Sequence, residues 1–488
     1  MAELGDAIRP FPPVAGRSAA FEQVSAQQDR DGVIGGSLRA GEPVRELEYE
    51  PAPLPAVLVA ARRLSGKGAL YRTLTRSAVA IAAVVLIAVA PAPAAASPSA
   101  SPATTGAAPG GPSFVRHLVP SWGFGQVVEA VGVGDLNGDH RPDIVVAGDQ
   151  YLLLYAKPTV RPELVARGTF GAGAATVVRD VDGDRRPDIV TGQTLGSGRR
   201  EEVWFTRTPR GWSRRVLSSD AYCHDLVFAP VGGRGPVDAV CVDQHRDRIV
   251  LLTRAAAVTS PWSLGTIQDG VNAMGAALAD VDRDGRLDVV VGRSWYRNAG
   301  AGTWARYPYT TLDSAAYPEF DDYAKVAVLD LNGDGRPDIV ASLFAETPAG
   351  RLYAFLAPPD PRGSAWTPVL LDQGPLFGVH SLAVARFDGC PRPELVIAET
   401  NIGGWDFGAA PHPHIDLYRL MGAVGWSRTV VDSIGAHDVQ AADINGDGLP
   451  DLVGHEENTN LARPPRNGRV FWWQNVTPPP HGASSCAG

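Results

Sequence analysis

From Ser113 onward, short apolar stretches alternate with polar turns in one recurring order. An alternating strand (Ala130 to Val133) leads into an acidic loop. A β-branched run (Ile144 to Ala147), a third strand with aromatics (Tyr151 to Tyr155) and a fourth strand often opened by tryptophan then follow. That fourth strand recurs as Trp212 to Leu217, Trp262 to Ile267, Trp304 to Thr310, Trp366 to Leu371 and Trp426 to Val431. Alternation with period two, bounded by Gly, Pro, Asn and Asp, predicts strands joined by tight turns. Four such strands make one blade of a propeller.

The acidic loop sets the period. Asp330, Asn332, Asp334 and Asp338 hold oxygen-bearing side chains at positions 1, 3, 5 and 9, and Gly333 and Gly335 supply turn conformations that other residues resist. The same positions carry Asp135, Asn137, Asp139 and Asp143; Asp180, Asp182, Asp184 and Asp188; Asp280, Asp282, Asp284 and Asp288; and Asp443, Asn445, Asp447 and Asp451. Two more copies have decayed: Arg386 to Glu394 keeps Asp388 and Glu394, and Pro230 to Asp238 keeps only Asp238. These two are expected to bind no ion. Loop starts at 135, 180, 230, 280, 330, 386 and 443 lie 45 to 57 residues apart, the spacing of propeller and solenoid arrays. The expected fold is all-β, a seven-bladed β-propeller with four-stranded blades. The last unit ends after its third strand, Val470 to Gln474, while Phe114 to Val119 is a spare strand of the fourth type. The N-terminal strand is therefore expected to close the seventh blade and leave no open sheet edge.

Oxygen donors at alternate positions of a tight loop suit a hard cation, and calcium takes six to eight oxygens at loosely defined angles. Asp and Asn in tight turns can also cap backbone amides without any ion. Five complete copies favour the cation, because four close carboxylates or amides would repel one another without one. Recurrence in nearly every unit points to a structural role, since an active site normally occurs once.

Composition changes little of this. The chain has 488 residues, with 54 Gly and 41 Pro, which suits many short strands and turns. A net charge of -9 argues against a nucleic-acid partner. Four cysteines, Cys223, Cys241, Cys390 and Cys486, are too few for a disulfide scaffold; Cys223 and Cys241 share one unit, as a bridge or as buried thiols. Dinucleotide, phosphate-binding and His-Glu-x-x-His motifs are absent from the sequence.

The N-terminal part is of another kind. Residues 1–76 lack sustained periodicity and are expected to be disordered, either a mis-assigned start or a cytoplasmic tail. Arg62, Arg63, Lys67, Arg72 and Arg76 precede an apolar run from Ala78 to Ala90, with Ala94-Ala95-Ala96 before Ser97, so 77–96 reads as a signal peptide or a membrane anchor. Both readings put everything after Ser97 outside the membrane, secreted or anchored to it, with membrane contact only through this segment if it stays uncleaved. A flexible linker over 97–112 leads to the propeller at 113–478, and 479–488 forms a tail.

The units differ where their inner strands begin. Six residues before each loop the chain reads Glu129, Ala174, His224, Met274, Ala324, His380 and His437. Inner strands line the central channel, so these side chains should meet near one mouth, with His380, His437 and Glu129 on neighbouring blades of the closed ring. Asp225 and Asp438 follow two of the histidines, and Asp243, Glu399 and Glu456 end the second strands at the same face. Imidazoles with carboxylates can hold a transition metal or supply acid and base for elimination on a sugar acid. The plain alternative is a ring of hydrated or hydrogen-bonded histidines. Trp405, beside glycines in the long insertion of the sixth unit, is a candidate sugar platform.

The five loops, with the third strand Trp295-Tyr296-Arg297-Asn298, resemble the FG-GAP or VCBS repeats of integrin-type propellers and exported bacterial proteins. The resemblance implies calcium held between strands of a propeller. It leaves function open, because such propellers serve as adhesins, as lectin-like modules and as scaffolds of polysaccharide lyases and sugar dehydratases. The expectation is an exported, monomeric, calcium-binding module for carbohydrate or a surface protein. The alternative is a carbohydrate-active lyase or dehydratase using His380, His437, Glu129, His224 and Glu399.

Overall fold

A computed structural model describes residues 111–478, apart from 234–236, 255–259, 313–321, 344–349, 364, 401–412, 422–424 and 457–467. The expected N-terminal segment and signal or anchor, most of the linker, the C-terminal tail and Trp405 lie outside the described residues.

Each unit folds as the alternation predicts. Blade one consists of Val128–Gly134, Asp143–Gly148, Tyr151–Tyr155 and Glu163–Arg167, antiparallel and in sequence order. Its second and third strands are almost wholly buried, as strands packed on both faces must be. Six further sheets repeat the arrangement, giving seven blades. The inner strands are Val128–Gly134, Thr176–Arg179, Asp225–Ala229, Ala277–Ala279, Ala324–Leu329, Val379–Ala385 and His437–Ala442. Inner strands of neighbouring blades pack together, blade seven against blade one included, so the ring is closed. Blade two adds a short strand, Thr169–Phe170, alongside Gln193 and Thr194.

Closure uses the N-terminal strand. Phe114–Val119 pairs antiparallel with Val470–Asn475, from Phe114 opposite Asn475 to Val119 opposite Val470. Arg116 reaches out of this strand to Asp432 on blade six, 2.9 Å away, and the Ser113 amide donates to Thr477 Oγ1 at 2.9 Å. The fourth strands form where the tryptophans mark them: Gly211–Ser218, Ser263–Asp269, Thr303–Pro308, Thr367–Leu376 and Gly425–Asp432. Each departs from its expected bounds by a few residues.

The core lies between blades. Val131, Ile144 and Leu153 of blade one pack with Val453 and Val470 of blade seven, and Val290 and Trp295 of blade four pack with Ile339 and Phe355 of blade five. Successive blades therefore bury each other's faces, the largest favourable contribution available to such a ring. Cys223 and Cys241 are disulfide-bonded with Cα atoms 5.1 Å apart, tying the approach to blade three to its second strand. Cys390 is disulfide-bonded as well.

Candidate functional site

The acidic loops join each inner strand to its second strand. In the first, Asp135 Oδ1 accepts the Gly138 amide at 2.6 Å and its Oδ2 accepts the His140 amide at 2.8 Å, while Asn137 Oδ1 accepts the Asp139 amide at 2.7 Å. The loops at Asp180, Asp330 and Asp443 repeat the pattern. The turn needs positive φ, which Gly138 (79°) and His140 (66°) adopt.

Position nine does something different. This carboxylate opens the second strand, is buried, and accepts the amide of loop position two: Leu136 to Asp143 at 2.8 Å, Val281 to Asp288 at 3.0 Å, Leu331 to Asp338 at 3.0 Å. Phe387 donates to Glu394 in the same way at 2.8 Å, although that loop has Arg386 and Cys390 at positions 1 and 5 and keeps only Asp388 besides. Position nine is thus a brace in every such loop, and positions 1, 3 and 5 carry what distinguishes the complete copies. In the decayed loop a guanidinium stands in for a cation, with Arg419 2.9 Å from Asp388.

Two of the complete loops, those with aspartate at position three, bring three carboxylates together. Oxygens of Asp180, Asp182 and Asp188 lie within 4.8 Å of one another, as do those of Asp280, Asp282 and Asp288. One oxygen of Asp282 is buried without a hydrogen-bond partner. Burial pushes Asp143 and Asp288 up to about 6 and Asp188 up to about 7, and neighbouring loop carboxylates add to the shift. Buried, mutually repelling oxygens with spare lone pairs fit a hard divalent cation. Such an ion would neutralise the loop and pin the turn.

A second site lies at the other end of the inner strands. Six residues of extended chain separate the two levels by roughly 20 Å. There the ring histidines meet: His224 and His380 have ring centroids 6.0 Å apart, and His380 and His437 4.6 Å apart. Backbone irregularity aims them. The pairing of inner and second strands skips Glu129 in blade one, His380 in blade six, and Asp438 with Val439 in blade seven, and a bulge turns its residue away from the sheet face. Asp438 also has a left-handed backbone, φ 53°. Small residues allow the approach: a Cβ on Gly454 would come within 2.9 Å of Val439, and one on Gly275 within 2.2 Å of the Ala324 carbonyl.

His224 and His380 line a cavity of about 270 Å³ together with Asp225, Lys325, Asp438 and Gln440, among others, and His437 stands behind His380 outside that lining. Asp225 accepts from His224 Nδ1 at 2.7 Å, from Lys325 Nζ at 2.7 Å and from the Gly275 amide at 3.0 Å. Burial opposes ionisation of Asp225, but the Lys325 ammonium and His224 outweigh it and hold the carboxyl well below the usual range. Asp438 is likewise held well below, against burial, by His437 and His455. His437 Nδ1 is 3.2 Å from Asp438 Oδ1.

The other expected site residues fall elsewhere. Glu129 is half-buried and does not line the histidine cavity. Glu399 is buried on the second strand of blade six, where it accepts the Phe377 amide at 2.7 Å and the His414 amide at 2.9 Å. Burial pushes it up to about 7. With His414 and Asp416 it forms a cluster separate from the cavity. Two participants carry weaker sequence signals. His455 faces His437 from the second strand, with ring centroids 5.1 Å apart, and Lys325 reaches in from blade five.

Residues 135–191, from the first acidic loop into the second strand of blade two, match the family model described as FG-GAP-like repeat. No curated protein sequence matches the chain. Among solved structures, BBS1N in complex with ARL6DN, soaked with mercury, is similar at 13% identity and a TM-score of 0.44 over 72% of this chain and 93% of that chain. The V. cholerae biofilm matrix protein Bap1 is similar at 13% identity and a TM-score of 0.34 over 72% of this chain and 68% of that one. The chain is a seven-bladed β-propeller that carries an FG-GAP-like repeat.

Proposed function

We propose that this propeller is an exported module whose complete acidic loops take up calcium and whose rigid ring presents a surface to carbohydrate or to a surface protein. The observation that carries the reading is the convergence of loop carboxylate oxygens at Asp180, Asp182 and the buried Asp188, and again at Asp280, Asp282 and the buried Asp288. Hard, all-oxygen donor sets on flexible loops suit calcium better than magnesium, which demands tighter octahedral geometry. Export is supported by the basic-then-apolar segment ahead of the propeller and by the bonded Cys223 and Cys241, since disulfides persist in oxidising compartments. Calorimetric titration of chelator-treated protein with calcium tests the first part. Several equivalents bound, with magnesium unable to displace them, are expected; no binding would overturn it. A glycan array probed in calcium and in chelator tests the second part, and calcium-dependent binding of a defined sugar class is the supporting result.

A second reading, a polysaccharide lyase or sugar dehydratase, is favoured by one observation: His224 and His380 line one cavity with Lys325, Asp225 and Asp438, and the His437 ring stands against His380 behind them. A neutral imidazole could take the proton beside the carboxylate of a uronic acid while the Lys325 ammonium offsets the charge that develops there, and the neighbouring glycosidic C–O bond breaks to release the other sugar as a protonated alcohol. Formation of unsaturated sugar from acidic polysaccharides, abolished in His380→Ala, is the expected signature. Its absence across a panel of uronic-acid polymers would leave the binding module alone.

A further inference from the structure

We propose that His437, Asp438 and His455 form a site for one divalent transition-metal ion of the zinc class, with His380 as a fourth donor, opening on the channel cavity. This goes beyond the calcium reading, which rests on loops at the other end of the inner strands. Donor atoms of the three residues lie within 4.8 Å of one another. His380 stands beside them, its ring centroid 4.6 Å from that of His437, and it lines the cavity together with Asp438. Neither ring nitrogen of His455 makes a hydrogen bond; Asp438 Oδ2 is 3.9 Å from its Nε2, too far for one. That imidazole is 1% exposed, so solvent does not satisfy it. A buried polar group without a partner is costly, and a metal ion at this point would remove the cost.

The donor set decides the kind of ion. Two or three imidazoles with one carboxylate suit zinc and its first-row neighbours, whereas calcium requires six or more oxygens. With His380 as the fourth donor the protein completes a tetrahedral set, and the cavity that His380 and Asp438 line is the side from which an ion would enter. The backbone is shaped for the task. The bulge at Asp438 and Val439 and the left-handed conformation of Asp438 bring its carboxylate beside the imidazoles of both strands, and Gly454 lets the two strands close.

The test uses full-length protein stripped with chelator and returned to millimolar calcium, so that the acidic loops are filled and the two sites are read separately. Titration with Zn2+ alone, followed by elemental analysis after dialysis, is expected to give one zinc per chain. His455→Ala and Asp438→Asn should each weaken zinc binding at least about tenfold while leaving the calcium-dependent melting shift unchanged. Should His455→Ala fail to fold, His437→Gln and the visible spectrum of the wild-type protein loaded with Co2+ decide instead, since tetrahedral nitrogen and oxygen coordination gives intense bands that aqueous cobalt lacks. Zinc well below one equivalent, undiminished binding in the folded variants, or a cobalt spectrum like that of the hydrated ion would overturn the proposal.

Discussion

Lys325 Nζ on blade five lies 2.7 Å from Asp225 Oδ1 on blade three, an ion pair that bypasses the intervening blade and spans the channel wall. Both side chains are mostly buried, at 12% and 16% exposure. Removing one partner strands the other charge, so Lys325→Met should destabilise the protein by about 3 kcal/mol, and adding Asp225→Asn should restore most of the loss. The Asp225 carboxyl is held below its ordinary value, so its contribution is present above that value and disappears only as pH falls through the lowered one. Urea unfolding from pH 7 down to pH 3 should show the gap between wild type and Lys325→Met narrowing as pH falls below the ordinary carboxylate value, because the stranded Asp225 of the variant takes up a proton that the paired one refuses. Equal acid profiles would remove the pair from the list of stabilising contacts.

Calcium should raise the melting temperature, because a ligand that binds only the folded state stabilises it by mass action. Asp182→Asn should shrink the difference between melts in millimolar calcium and in chelator. Asp388→Ala should behave otherwise: it breaks the contact with Arg419 and lowers both melts equally. A calcium-dependent effect of Asp388→Ala would show that the decayed loop still binds.

Glu394 predicts a pH dependence of opposite sign to that of Asp225. Burial and the neighbouring Asp388 push it up to about 8. A carboxyl raised above its unfolded value stabilises the fold while protonated, so this contribution is full in acid and fades as pH rises through the folded value. Glu394→Gln should be more stable than wild type at pH 8 and nearly equal to it at pH 5. The slope removed would be on the order of 1 kcal/mol per pH unit. Denaturant midpoints measured across that range check it, and parallel curves would mean that Glu394 is ionised in the fold.

Deleting residues up to Val119 should expose the edge of Val470–Asn475. An unpaired, apolar edge strand is an aggregation site. Size-exclusion chromatography and thermal melts should show self-association and a lowered, less cooperative transition, with the peptide Phe114 to Val119 added in excess partly reversing both. A truncated protein as monodisperse and stable as the full chain would make this strand dispensable.

The sequence carried the architecture because it was written five times over in Asp-x-Asp/Asn-x-Asp-x3-Asp, and the structure has seven blades closed by the strand expected to close them. Equal offset from the loop also predicted correctly that His224, His380 and His437 share one level. Register alone could not say where a side chain at that level points. The bulges at Glu129, His380 and Asp438 re-aim their residues independently, and Glu129 does not line the histidine cavity. His455 sits in a run, His455-Glu456-Glu457, that looks like an ordinary strand end; only its pairing opposite His437 gives it meaning. The brace at position nine was equally hidden, since an aspartate that caps an amide and one that holds an ion look alike in sequence.

Closing the ring with its own first strand makes completion of the chain a condition of finishing the fold. Ser113 and Thr477, hydrogen-bonded at the seam, are 364 positions apart, and bringing such distant points together costs about 5 kcal/mol in chain entropy by the usual logarithmic scaling. Blades can form one after another, but the seam can be sewn only when Val470–Asn475 has emerged. A polypeptide interrupted anywhere before that point leaves Phe114–Val119 without its mate, so the latch doubles as a proofreading step that separates finished molecules from fragments.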